Sequence, residues 1–290
     1  MLEWVFSKNC WKAGMEYLLF NLKAVLISAL IFIPVEQLLA ARRQKILRKG
    51  IGNDAIYAIV NSIFTKVFMI LVAAAALAAA SMIVPHGVLR MVSGQAIWLQ
   101  VVEIIIVGDL GVYIAHRAFH EIPALWKFHA IHHGIEELDW LATFRSHPVD
   151  VIATKAVSLA PVYFLGFSGE AIGVYFLIYH WHSLLLHANV RINVGPLKWL
   201  IATPQFHHWH HANQREAYDK NFASQLSIID AVFGTFQVQG TALPEKYGVD
   251  DAIPSSYLGQ HGYPFLPKTK AAPYDLGKAT AGTDMPASDA

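Results

Sequence analysis

The sequence predicts an all-α fold, an integral membrane helical bundle with about four to five membrane helices and a cytoplasmic, histidine-rich helical cap. Three observations predict it. The chain has 290 residues, 55% of them apolar and only 15% charged, with a mean hydropathy of +0.39. A soluble domain is about 25% charged. Several apolar runs also approach the length of about 20 residues that a bilayer crossing needs. Finally, thirteen of the fifteen histidines fall between His116 and His211, and most are spaced by three or four residues.

The elements follow in chain order. The N-terminus is not a clean secretory signal, because Glu3 and Glu16 interrupt it and no small-residue cleavage site follows an apolar core. Residues 18–40 form the first expected span, with Lys23 near one end and Glu36 near the other. The loop after it carries Arg42, Arg43, Lys45, Arg48 and Lys49, a basic cluster that places it on the cytoplasmic side. Residues 56–84 form the second span, interrupted by Lys66, and residues 96–115 the third, which runs straight into His116. Residues 151–167 and 171–187 form a fourth and fifth, short enough to be a helical hairpin that does not cross fully. Counting crossings from the basic loop returns every histidine cluster to the cytoplasmic face.

Helical spacing gives those clusters their meaning. Positions three and four apart share one helix face. His116 and His120 therefore point together, as do His129, His132 and His133, and again His207, His210 and His211. Eight imidazoles exceed the three or four protein ligands that one metal ion takes, and suffice for two ions. His208 should point away from its neighbours if its segment is helical. The lone cysteine, Cys10, excludes an internal disulfide and a thiolate cage. A net charge of +1 offers no case for nucleic acid.

Imidazole suits zinc, copper, iron and nickel, so the ligand type alone does not select the metal. Two features favour iron: the clusters sit beside apolar spans that can hold a lipid tail, and no His-Glu-x-x-His pattern supplies a hydrolytic base. Activation of dioxygen is cofactor chemistry, with the protein supplying position and a dry pocket. The chain has no Gly-x-Gly-x-x-Gly fingerprint, so electrons must come from a separate partner.

At this point the chain resembles the fatty acid hydroxylase/sterol desaturase superfamily of membrane di-iron enzymes. Its three histidine motifs match His116/His120, His129/His132/His133 and His207/His210/His211. Flanking text matches too: Asp109 to Tyr113, Trp126 to His129, Arg145-Ser146-His147-Pro148, Thr203-Pro204, Asp219-Lys220-Asn221, and Asp230 to Thr235. Ile229 and Ala223 depart from the tryptophan and glycine frequent in the family. The resemblance implies an oxygen-dependent oxidoreductase that hydroxylates a C–H bond of a membrane lipid. It also implies two iron ions, for which zinc can substitute in purified protein, and an external donor such as a ferredoxin or a b-type cytochrome with its reductase. Desaturation on the same scaffold is the alternative. A histidine-rich metal transporter is a distant one, since the clusters sit at span ends rather than along a mid-membrane path. The expected organisation is N-terminal transmembrane helices over 1–95, a di-iron catalytic domain over 96–240 and a largely disordered tail over 241–290. The expected location is the inner membrane if the host is bacterial.

The resemblance adds His187 as a ninth ligand, from the last hydrophobic hairpin. Asp109 and Asp230 are candidates to orient a ligand through its second ring nitrogen. His147 and His180 are expected to support ligands rather than to bind metal, and His182 to be a polar pocket group. Arg117 and Arg145 could meet a lipid headgroup or a donor, or be solvated basic residues. Trp4, Trp11, Trp126 and Trp199 are expected as interface anchors, and His86 and His261 as surface histidines.

Overall fold

A computed structural model describes residues 8–238 and 242–267, with side chains from residue 15 onward. Trp4 and the tail from Lys268 lie outside the described residues, as do the side chains of Cys10 and Trp11. Among the described residues the fold is helical, with two isolated bridges (Ala40 to Val190, Ala212 to Tyr247) and no strand.

The long apolar runs become long helices: α1 (Lys8–Leu38), α2 (Ile51–Ile83) and, after the short α3 (His86–Ser93), α4 (Ile97–Glu121). These three long helices are long and apolar enough to cross a membrane. Their outward residues are bare of protein: Leu30 is 77% exposed and Met82 85%. Apolar surface on this scale fits lipid contact. The pair α6 (Pro148–Phe164) and α7 (Gly169–His187) forms the expected hairpin, closed by Ser168, whose hydroxyl accepts from the Ala171 N–H at 3.2 Å. Both are shorter than the three long helices.

Helix α4 is the centre of the bundle and packs against α6, α7 and α5 (Pro123–His133). Its contact with α6 is close because Gly111 lacks a side chain. A Cβ there would lie 2.6 Å from the Ser158 Cα and 2.9 Å from the Val157 carbonyl oxygen. Ser158 completes the crossing by donating to the Gly108 carbonyl at 2.8 Å, the small-residue mode by which membrane helices approach. Ile104, Leu159, Val162, Ala171 and Tyr175 fill the space between α4, α6 and α7.

Helix α4 outlasts its apolar run and carries His116 and His120 beyond it. Short helices then finish the cap: α5, α8 (Pro204–His210), α9 (Ser227–Phe233) and α10 (Tyr257–Gly262). Helices α5, α6 and α8 each begin on a proline, Pro123, Pro148 and Pro204. Proline suits the first helical position because its missing N–H has no partner to lose there. The second and third histidine motifs are thus fixed in phase by a stop and a restart of the chain, at Pro123 and Pro204.

The segment expected to open the tail is folded between 242 and 267. Tyr247 and Gln260 are buried, Tyr257 packs edge-on against Tyr57 of α2, and Gln260 accepts from Asn53 at 2.9 Å. Aromatic burial offsets the ordering cost of this glycine- and proline-containing stretch.

Candidate metal centre

The cap brings all nine predicted histidines into two adjoining clusters. His116, His120, His129, His133 and His210 form one, and His132, His187, His207 and His211 the other. Within each cluster, one ring nitrogen from every residue lies within 4.8 Å of all the others. Helical phase explains the division. His129 and His133, four apart on α5, serve the first cluster while His132 turns to the second. On α8, His210 serves the first, and His207 and His211 the second. His208 points away, between the Tyr247 hydroxyl at 2.8 Å and the Ala188 carbonyl at 3.1 Å.

The outer nitrogens settle the tautomers. Nδ1 of His116 meets the Phe222 carbonyl at 2.7 Å, that of His132 the Arg145 carbonyl at 2.9 Å, that of His187 the Ser183 carbonyl at 2.9 Å, and that of His210 the Lys220 carbonyl at 2.8 Å. His129 Nδ1 lies 2.8 Å from the Asp150 carboxylate. Oxygen acceptors require that each of these Nδ1 atoms carry the proton, so each Nε2 presents a bare lone pair. The inner geometry is then telling. Nε2 of His116 lies 2.9 Å from Nε2 of His129, and Nε2 of His187 lies 3.3 Å from Nε2 of His132. In both pairs lone pair faces lone pair with no proton to share. Such an arrangement is repulsive alone and complementary to a cation placed between the rings. The donor set, all imidazole, fits iron among the transition metals.

Burial favours the neutral, ligating form of five of the rings. It pushes His132, His133, His207, His210 and His211 well below the ordinary imidazole value, and neighbouring imidazoles push the same way.

A strap from 219 to 222 supplies two of the orienting carbonyls. Asp219 and Asn221 both take the left-handed conformation, with φ of 55° and 62°. Aspartate and asparagine tolerate it better than other side-chain-bearing residues. This alternation aims the Lys220 carbonyl at His210 and the Phe222 carbonyl at His116. Asn221 locks the strap by donating to the Phe206 and Gln237 carbonyls at 2.8 and 2.6 Å and accepting from the Gln237 N–H at 2.7 Å. A narrow cleft lined by His120, Trp126, His133, Tyr218, Asp219 and Asp251 reaches the five-histidine cluster.

Of the residues expected beside the ligands, Asp109 and Asp230 bind backbone, while His147, His180 and His182 pack away from the ligand rings. Asp109 accepts from the backbone N–H groups of Ser224, Gln225 and Leu226 at 2.6 to 3.0 Å, tying that loop to α4. Asp230 accepts from Phe222 and Ala223, both at 2.8 Å, and from the Thr235 hydroxyl at 2.6 Å. Asp230 thereby holds Phe222, whose carbonyl orients His116, whereas Asp109 ties down the loop that follows, and neither carboxylate bonds to a ligand ring. His147 caps α6, accepting from the Val149 N–H at 3.1 Å, and packs on Phe128 and His261. His180 lies among Phe144 and Trp181. His182 bonds the Ala202 carbonyl at 2.9 Å.

The carboxylates nearest the clusters are instead Asp150 on His129 and Asp219, whose oxygen lies 3.5 Å from His120 Nδ1. Asp150 is legible in retrospect as the acid in the first turn after His147-Pro148. Trp126 is buried against His120 and His133 rather than at an interface, whereas Trp199 is 53% exposed. His86 is exposed, but His261 is half-buried and stacked on Tyr57. Arg117 pairs with Glu121 at 2.7 Å on the surface. Arg145 is neither solvated nor free for a headgroup: it is buried in an ion pair with Asp54.

Known proteins match the segment that carries the site. The family described as fatty acid hydroxylase matches residues 101–235, which hold all nine histidines. The chain is 32% identical over 169 residues to the ornithine lipid hydroxylase OlsE of Rhizobium tropici, covering 58% of this chain and 51% of that protein. It is 35% identical over 146 residues to human alkylglycerol monooxygenase, covering 50% of this chain and 32% of the relative. A rice very-long-chain aldehyde decarbonylase, GL1-1, is 29% identical over 152 residues, 48% of this chain and 24% of the relative. The chain thus spans about half of the first relative and a third or less of the others. No solved structure matches.

Proposed function

We propose that this chain, whose residues 101–235 match the fatty acid hydroxylase family, is a membrane-bound di-iron oxygenase that hydroxylates a C–H bond of an amphiphilic lipid. The observation that carries this reading is the convergence of nine histidines in two clusters, five of them with Nδ1 on an oxygen acceptor and a bare Nε2 left for a metal. His116, His120, His129, His133 and His210 would hold one iron, and His132, His187, His207 and His211 the other. The irons would supply activation of dioxygen, whose second atom leaves as water after uptake of two electrons and two protons.

The rest is the work of the chain. Carbonyls 145, 183, 220 and 222, with Asp150, hold the rings in one tautomer and one orientation. The packed apolar bundle of α4, α6 and α7 excludes water below the clusters, and the lipid-exposed faces of the long helices place them beside bilayer lipid tails. The basic loop at 42–49 supports a cytoplasmic active site, where a soluble or peripheral donor can deliver electrons, and for a bacterial host this means the inner membrane. The named relatives, two of them lipid-modifying oxygenases by name, support hydroxylation.

The test is incubation of the purified protein with a reductase system, host lipids and isotopically labelled dioxygen. One labelled oxygen in a lipid product is expected. A new double bond without label would make the enzyme a desaturase, and metal uptake into vesicles without lipid change would make it a transporter.

A further inference from the structure

A buried ion-pair cluster lies outside the nine histidines and touches one of them. Arg48, from the basic loop, forks onto both oxygens of Asp139 at 2.7 and 2.5 Å and reaches Asp54 of α2 at 2.7 Å. The other oxygen of Asp54 takes the Arg145 Nε–H. All four side chains are buried, and their formal charges cancel. Burying four charges is a poor way to gain stability, since well-packed apolar groups commonly serve as well. Something besides stability must account for the cluster.

Its position supplies the reason. Arg145 is the residue whose backbone carbonyl orients His132. The carbonyl on His187 comes from its own helix, and those on His116 and His210 from the strap locked by Asn221 and Asp230. The carbonyl on His132 comes from irregular chain between Phe144 and Pro148. That stretch is held from α2: Asp54 grips the Arg145 side chain, and Asn61 donates to the Ser146 carbonyl at 2.7 Å. Arg48 pins the opposite end through Asp139, which also accepts from the Ala142 N–H at 3.0 Å. Gly50 leaves room for the guanidinium. Its φ is +82°, and a Cβ there would lie 2.6 Å from Arg145 Nη2.

We infer that Asp54 is a positioning residue for the four-histidine cluster, acting through Arg145 to hold the Arg145 carbonyl on His132 Nδ1. The inference rests on the reading that both clusters bind metal. The Asp54 carboxylate fixes the Arg145 side chain, the fixed side chain places the carbonyl, and the carbonyl keeps His132 Nε2 bare and aimed at His187 and His211. The five-histidine cluster does not depend on this route, because its rings are oriented from residues 150, 220 and 222.

The experiment is anaerobic iron(II) titration of the full chain in detergent, with a Mössbauer spectrum of each loaded sample. Wild type is compared with Asp54→Asn and Arg145→Lys, and the two sites are assigned with His120→Ala and His207→Ala. Asp54→Asn should bind iron about 10–100-fold more weakly at the four-histidine site, with the other site unchanged, as losing a ligand's outer partner does elsewhere. One Mössbauer component should change and the other stay. Arg145→Lys keeps a cation for Asp54 and the same backbone carbonyl, and should fall between. If Asp54→Asn fails to fold, Gly50→Ala displaces the guanidinium with every charge retained and should show the same selectivity. Wild-type affinity at both sites in the folded variant, or equal weakening of both, overturns the inference. Wild-type protein that binds no iron at the histidines overturns the metal reading, and this inference with it.

Discussion

His129 Nδ1 donates to the Asp150 carboxylate across 2.8 Å, and so this ring is paired with a charge where four of its fellows are paired with carbonyls. A carboxylate partner raises the basicity of the ligating nitrogen and fixes the ring's plane. Thr154 holds the other Asp150 oxygen at 3.2 Å, so the carboxylate is itself oriented.

Asp150→Asn tests that pairing. The amide keeps the volume and an acceptor oxygen but loses the charge. Metal affinity at the five-histidine cluster should fall by about 10–100-fold while the fold is retained. Competition against a chelator of known affinity measures it. Unchanged affinity would show that the carboxylate is not coupled to the metal.

How much of this was legible in the sequence depends on what each residue does. Histidine spacing named eight of the side chains that meet in space and the family resemblance added His187, but spacing grouped each motif on one face, whereas His132 and His210 turn to different clusters from their neighbours. Hydropathy locates α2 and most of α4, but α1 begins at Lys8, well before the expected span at 18–40, and α4 runs on past its apolar stretch to Glu121. Groups that act through the backbone leave no such trace. The carbonyls of Arg145, Lys220 and Phe222 are identical in every sequence, and only the folded strap shows which of them faces a ring. Asp109 and Asp230 look like ring partners because acids near histidines often are. The structure gives them backbone N–H groups instead, because Phe222 to Leu226 run irregularly and their donors need acceptors. The folded stretch at 242–267 was hidden for a related reason. It was grouped with the tail that follows, and the aromatic and polar contacts that order it are long-range.

Metal removal should destabilise the protein. With Nε2 atoms facing one another at 2.9 and 3.3 Å, the native chain binds a cation better than the unfolded chain does. A ligand held at about 1,000 times its Kd adds about 4 kcal/mol to stability. For a chain of this size that corresponds to a fall in Tm on the order of 10 °C after chelation. Thermal unfolding in detergent, followed by helical circular dichroism, checks it. Readdition of iron(II) should restore the transition, and a Tm indifferent to chelation would count against resident metal.

Asn221 should matter more than its distance from the ligating nitrogens suggests. Asn221→Gly keeps the left-handed φ but strands the Phe206 and Gln237 groups that the amide satisfies. Each buried polar group left unpaired costs about 1–3 kcal/mol. Asn221→Ala loses the same bonds and adds about 1–2 kcal/mol for a side chain in the left-handed region. Alanine should therefore lower Tm further than glycine, and both should weaken metal binding by the five-histidine cluster through His116 and His210. Equal Tm values for the two variants would show that the backbone conformation of the strap carries no cost.

The ion pairs of Arg48 also make a topological prediction. They join the loop after α1 to Asp139 and, through Asp54, to the segment that orients His132. Basic loop and histidine clusters must then lie on one side of the membrane, and the positive-inside tendency makes that side cytoplasmic. Arg43 and Arg215 are both exposed and lie on the loop and just beyond α8. In a Cys10→Ser background, Arg43→Cys and Arg215→Cys should both resist a membrane-impermeant maleimide added to intact cells. Both should react once the membrane is permeabilised. Labelling of one but not the other from outside would separate the loop from the clusters and contradict the ion-pair geometry, while labelling of both would keep the geometry and reverse the orientation.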